Sequence, residues 1–135
     1  VSEEFNKLIV RRIWEEVWQA GNLAVIDELV DSNHLLHAYF EDLEYGSGAE
    51  GFKRLVSANR AWFPDGKLTI EDLIAEGDKV VTRYTAQMTP SAATKGIWID
   101  QIRDNKVVES WVDWDRLGLF RQLGLIPPAG EPTGE

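Results

Sequence analysis

The sequence predicts an α+β fold, with helices first and a run of antiparallel strands after them. Apolar residues recur at helical spacing as far as Trp62, and after Gly66 the period changes to simple alternation. No helical segment separates the later strands, so the crossover helices that a parallel α/β sheet needs are missing and hairpins must join them.

Taken in order, Phe5, Leu8, Ile9, Ile13, Trp14, Val17 and Trp18 form one apolar stripe opposite Asn6, Lys7, Arg11, Glu15 and Gln19, and Gly21 stops the helix. Arg11 and Arg12 lie within one turn of Glu15 and Glu16, which reads as a solvated, ion-paired face. A second helix is expected from Leu23 to Val30, a short strand from His37 to Phe40, and a third helix from Ala49 to Trp62 with Phe52, Leu55, Val56 and Trp62 inward. Phe63-Pro64-Asp65-Gly66 breaks it. Leu68 to Glu76 and Lys79 to Met88 read as strands joined at Gly77-Asp78, and Ile97 to Arg103 and Lys106 to Asp115 as strands joined at Asp104-Asn105. Asparagine tolerates the left-handed backbone of such a turn. A short helical turn follows. Residues 1–125 form one expected domain, and residues 126–135, with Pro127, Pro128 and Pro132, a loose tail.

A chain of 135 residues that is 44% hydrophobic is long enough to bury a core unaided. Its net charge of −9 disfavours nucleic acid, which needs a basic stripe to displace counterions. Absence of cysteine removes disulfides and thiolate metal sites. No apolar run is long enough to span a bilayer and no signal peptide is recognisable, so a cytoplasmic protein is the expectation. Six tryptophans suggest stiff aromatic walls, with Trp14, Trp62, Tyr84 and Trp111 as candidates to line a pocket.

The last strand carries the chemistry. Alternation puts Val107, Glu109, Trp111, Asp113 and Asp115 on one face, and Val108, Ser110, Val112 and Trp114 on the other. If the first face lines a dry cavity, desolvation raises a carboxylate's pKa toward the range useful for proton transfer; if it is an edge in water, Asp113 and Asp115 are ordinary surface acids. On the preceding strand Gln101 shares a face with Ile97, Ile99 and Arg103, while Asp100 lies with Trp98 on the opposite face and is expected exposed or at an interface.

Several motifs are ordered together: Glu15-Glu16-Val17-Trp18, Gly21-Asn22-Leu23, Asp27-Glu28-Leu29-Val30, Phe63-Pro64-Asp65, Ala75-Glu76-Gly77-Asp78-Lys79-Val80-Val81, Glu109-x-Trp111, Asp115-x-x-Gly118-Leu119 and Gln122-Leu123-Gly124. In this order and spacing they resemble the SnoaL-like polyketide cyclases. That resemblance implies a strongly curved sheet wrapped round its helices as a cone, as in ketosteroid isomerase and the nuclear transport factor 2-like proteins, with a small hydrophobic or aromatic carbonyl ligand at the open end. It implies an intramolecular aldol condensation in which Asp115 is the acid/base, with no metal or organic cofactor. It also places Gln101 as a carbonyl-polarising donor and His37 as a pocket residue, beside Trp111 and Asp113. Homodimerisation through the outer face of the sheet is implied too, with Trp98 and Trp114 as contacts.

The chain departs from the family pattern between Gln87 and Gly96, where a longer hairpin is usual. Two other functions stay open. A limonene-type epoxide hydrolase would use residue types that Asp100, Arg103, Asp113 and Asp115 supply, and a non-enzymatic small-molecule-binding dimer would use Asp115 and Gln101 only to hold a ligand.

Overall fold

A computed structural model describes residues 2–38, 46–127 and 130. Helix α1 spans Glu3–Arg12 and is capped by the Ser2 hydroxyl, which accepts from the Phe5 N–H at 3.2 Å. The same rod then widens into a π-helix over Ile13–Gln19, the kind of irregularity that recurs at functional sites. This segment presents Trp14, Val17 and Trp18 to the interior. Arg11 pairs with Glu15 and Arg12 with Glu16 on the outer side, as the sequence implied, and Arg12 also reaches Glu28 at the next helix.

Short helix α2, Ala24–Leu29, leads directly into strand β1, Val30–His37. The strand expected from His37 to Phe40 therefore comes earlier and is longer; Tyr39 and Phe40 lie outside the described residues. Helix α3 spans Gly48–Trp62, followed by strands β2, Lys67–Glu76, β3, Lys79–Thr89, β4, Ala92–Arg103, and β5, Lys106–Trp114, and by helix α4, Arg116–Gln122. Residues 87–96 do not form a loop. They continue β3 and β4 up to a tight turn at Pro90-Ser91, so the hairpin is short because its strands run to its tip. Of the proposed tail, residues 128, 129 and 131–135 lie outside the described residues.

The sheet order is β1-β5-β4-β3-β2, antiparallel except that β1 runs parallel to β5. The result is a curved, unclosed α+β sheet. Its inner face is read from β3, where Val80, Thr82, Tyr84, Ala86 and Met88 are buried and alternate with half-buried or exposed neighbours. Cross-strand pairing of Thr82 with Trp98, Trp98 with Val112 and Asp100 with Ser110 carries that face across β4 and β5. Helices α1 to α3 cover it with Ile9, Val10, Val17, Ile26 and Val56.

An irregularity in the β4–β5 ladder sets the parity of β5. Ile102 pairs with Val107 but Gln101 pairs with Glu109, leaving Val108 as an extra residue. Val107 and Ser110 are both buried in consequence, and Ser110, Val112 and Trp114 turn inward. The inner face is thus the one opposite to that expected for Trp111, Asp113 and Gln101. Trp98 is 6% exposed, which removes it as a contact on the outer face.

Gly48 has a backbone φ of +73°, and a Cβ there would collide with the Ser32 carbonyl oxygen of β1. Gly48→Ala combines the left-handed penalty with a clash against backbone, so a loss of about 2 kcal/mol or more is expected in urea unfolding.

Candidate active site

The helices and the inner face of the sheet enclose a chamber of about 100 Å³ walled by Trp14, Trp18, Tyr84, Trp98, Val112 and Trp114. The rings brace one another. Trp14 lies 4.7 Å from Tyr84 and meets Trp98 edge-on at 5.8 Å, and Trp18 meets Trp98 edge-on at 5.8 Å. Such contacts favour a preformed arrangement of the walls. Polar groups on the wall are few: Asn59, Thr94 and Tyr84, whose hydroxyl holds its proton more tightly than usual because it is buried. Gly96 sits opposite Tyr84 in the ladder and gives the ring room, since a Cβ there would come within 2.5 Å of its hydroxyl.

Behind Trp98 lies a buried polar chain. The Trp98 indole N–H donates to Asp100 Oδ1 at 2.8 Å, and the Ser110 hydroxyl donates to the same oxygen at 2.6 Å. His34 Nε2 lies 2.8 Å from Ser110 Oγ. Because the serine proton is committed to Asp100, Ser110 can only accept from His34, which assigns the imidazole hydrogen to Nε2. Asp100, Ser110 and His34 are 4%, 0% and 2% exposed.

Burial pushes the Asp100 pKa up to about 6, against the opposing pull of its bonds from Ser110 and Trp98. Burial also lowers His34 to about 4, despite the charges of Asp31 and Glu109. At neutral pH the chain therefore reads as a neutral imidazole, a hydroxyl and an ionised carboxylate. This is not a nucleophilic triad, in which histidine stands between the other two and takes the serine proton. Here serine stands in the middle and gives its proton to Asp100.

The residues singled out by sequence separate into three groups. Trp14 and Tyr84 line the chamber, and Trp62, 58% exposed, lines an adjoining hollow outside it. His37, Trp111, Gln101 and Asp113 lie on the outer side of the sheet. His37 stacks on Trp111 at 5.5 Å and its Nε2 is 2.7 Å from Glu109, Gln101 donates to Asp78 at 3.0 Å, and Asp113 is exposed. Asp115 is exposed at the start of α4, where it caps the helix by accepting from the Gly118 N–H at 2.8 Å.

Asp100, expected at the surface, is instead the buried carboxylate. Arg83, on the outer face, pairs with Asp72 at 2.6 Å. Arg103 and Asp113 are exposed while Asp100 is buried, so the residue set of an epoxide hydrolase is not assembled. His34, Ser110, Trp18 and Trp98 were missed as site residues. The apolar alternation of β3 marks the Tyr84 face as a candidate interior, but it is the observed β3–β4 register that extends this face to Trp98 and Asp100.

The sequence pattern of the SnoaL-like polyketide cyclase family matches residues 8–123, and the chain belongs to that family. Among solved structures, a protein proposed to be a polyketide cyclase from Bacillus cereus is 29% identical with a TM-score of 0.80, covering 93% of this chain and 87% of that one. IdmH, proposed to be a polyketide cyclase of Streptomyces antibioticus, is 25% identical with a TM-score of 0.77 over 88% of this chain and 98% of its own. A third such protein, from Acidithiobacillus ferrooxidans, is 27% identical with a TM-score of 0.79 over 89% and 94%. No curated protein matches the chain in sequence. Among the described residues no helix is long and apolar enough to cross a membrane.

Two outcomes follow from these geometries. For Asp100 the folded pKa lies above the unfolded one, so its contribution to stability is fully present below about pH 4 and is lost as pH rises through about 6. His34, with its folded pKa depressed, acts in the opposite sense over an overlapping window and masks part of that slope. Urea midpoints of Asp100→Asn should therefore rise more steeply between pH 4 and 6 than those of the wild type. At Asp115, alanine should cost about 1 kcal/mol through the lost cap, whereas asparagine, itself a good cap, should leave the thermal midpoint nearly unchanged.

Proposed function

We propose that this protein is a cofactor-independent, cyclase-type enzyme that moves a proton on a hydrophobic carbonyl substrate, with Asp100 as the acid/base. One observation carries the reading: a buried carboxylate, its pKa pushed up to about 6, is hydrogen-bonded to Trp98, a wall of the aromatic chamber. A base poised just below neutral pH is ionised enough to accept a proton and basic enough to hold it.

The chemistry would run as an intramolecular aldol reaction. Asp100 takes a proton from a carbon beside a carbonyl, the enolate carbon attacks a second carbonyl of the same molecule, and the protonated Asp100 returns the proton to the new alkoxide. Both hydrogen bonds to Asp100 fall on Oδ1, which leaves Oδ2 to carry the proton. Ser110 and His34 hold the carboxylate in place. The Tyr84 hydroxyl, with its tightly held proton, and Asn59 are suited to donate hydrogen bonds to the enolate oxygen. Asp100 does not itself line the chamber, so the reading requires the Trp98 indole to swing aside and open the carboxylate to the substrate.

The test is hydrogen–deuterium exchange at the carbon between the carbonyls of aromatic β-polyketo esters, followed by NMR in D2O. Asp100→Asn should slow the enzyme-dependent exchange by about 10²–10⁴-fold, while Asp115→Asn should keep it. Full activity in Asp100→Asn would sink the assignment of the base and leave the chamber as a binding site.

A further inference from the structure

We infer that the ligand of this protein is an amphipathic carboxylate, with its apolar body in the aromatic cleft and its acidic end on Arg116. The inference rests on reading the chamber as the ligand site, and it adds the ligand's chemical class.

The inner chamber is too small to be the whole site. Its volume of about 100 Å³ is a few waters' worth, whereas sites for organic ligands run to about 300–1,000 Å³. A second hollow of about 330 Å³ lies between α3 and α4, with Trp62, Phe63, Leu119 and Phe120 among its walls. Leu55, Asn59, Met88 and Trp114 line both hollows, so the two form one cleft partitioned by the Trp114 ring. A flat or extended apolar molecule can occupy both parts.

Arg116 is the only charged side chain among the described residues that line the outer hollow. Its guanidinium lies 6.0 Å from the centre of the Trp114 ring and 5.9 Å from that of Phe120, and it is half-buried. Arg11, Arg12 and Arg83 pair with carboxylates and Arg60 and Arg121 with backbone carbonyls, while Arg103 is exposed and lines neither hollow. Arg116 makes no ion pair or hydrogen bond with any described residue. Nor does it serve its own helix, because it occupies the first position of α4, where the helix dipole disfavours a positive charge.

The two rings lie at the outer limit of cation–π range and none of the described residues takes the guanidinium N–H groups, in half-buried surroundings that strengthen an ionic hydrogen bond. A single positive charge with a forked donor edge matches a carboxylate. A phosphate dianion would call for further cations, which the described residues lining this hollow do not provide.

The experiment titrates the full chain with anthracene-2-carboxylate and with its methyl ester, reading affinity from the NMR cross-peaks of the tryptophan indole N–H groups. Wild type should bind the acid at least about tenfold more tightly than the ester. In Arg116→Gln that preference should vanish while ester affinity is retained, which also shows that the variant is folded. Equal affinity for acid and ester in the wild type, or a preference that survives in Arg116→Gln, overturns the inference and leaves the chamber reading standing. If neither compound moves the tryptophan signals of the wild type, the chamber reading falls, and this inference with it.

Discussion

The hydrogen bond from Trp98 to Asp100 joins the two halves of this molecule. On one side the indole ring is a wall of the aromatic chamber; on the other its N–H reaches a carboxylate that has left water. A buried carboxylate without partners would be costly, and the bonds from Ser110 and Trp98 are what make its ionised form tolerable. They do so incompletely, and the remaining desolvation keeps the proton affinity of Asp100 high. His34 completes the chain from β1, so the strand that runs parallel to β5 ties the sheet edge to its polar interior.

The same inner face divides the labour between strands and helices. Strands β3 to β5 supply Tyr84, Trp98, Asp100 and Ser110 at fixed spacing, and the π-helical segment supplies Trp14 and Trp18 from above. The packing of Trp14 on Tyr84 and of Trp18 on Phe52 favours a cavity whose walls are largely preformed, with Trp98 the wall that the proposed chemistry requires to move. The open end lies toward α3 and α4, where the outer hollow begins and where Asp115 spends its carboxylate on holding α4 in place.

Much of the architecture was legible in local pattern. The inward Ile9, Ile13, Trp14 and Val17 of the first helical rod, the break at Phe63-Pro64, the hairpin turns at Gly77-Asp78 and Asp104-Asn105, and the inward Tyr84 follow from period and turn chemistry, whereas Phe5 and Leu8 of the expected stripe are exposed and Asn6 is buried. Asp104 and Asn105 do adopt the left-handed backbone, with φ of +52° and +63°. Asp100 was not legible in the same way. Its immediate neighbours alternate between isoleucines on one side and a tryptophan on the other, and either face would make a credible interior. The extra residue at Val108 compounds the ambiguity, since it reverses the alternation between Val107 and the rest of β5. Read without it, Trp111 and Asp113 share the face of Val107 and seem to belong inside.

The sequence by itself determined the order of the helices and of the four later strands, the hairpin turns at Gly77-Asp78 and Asp104-Asn105, and which family the chain resembles, but not the position of β1 or its parallel pairing with β5. Those features depend on the backbone's own periods and on turn residues, which act over short stretches of chain. The tertiary structure alone decided which side of the sheet the helices cover. It thereby decided which carboxylate leaves water, because burial is conferred by whatever packs on a face and not by the residues that compose it.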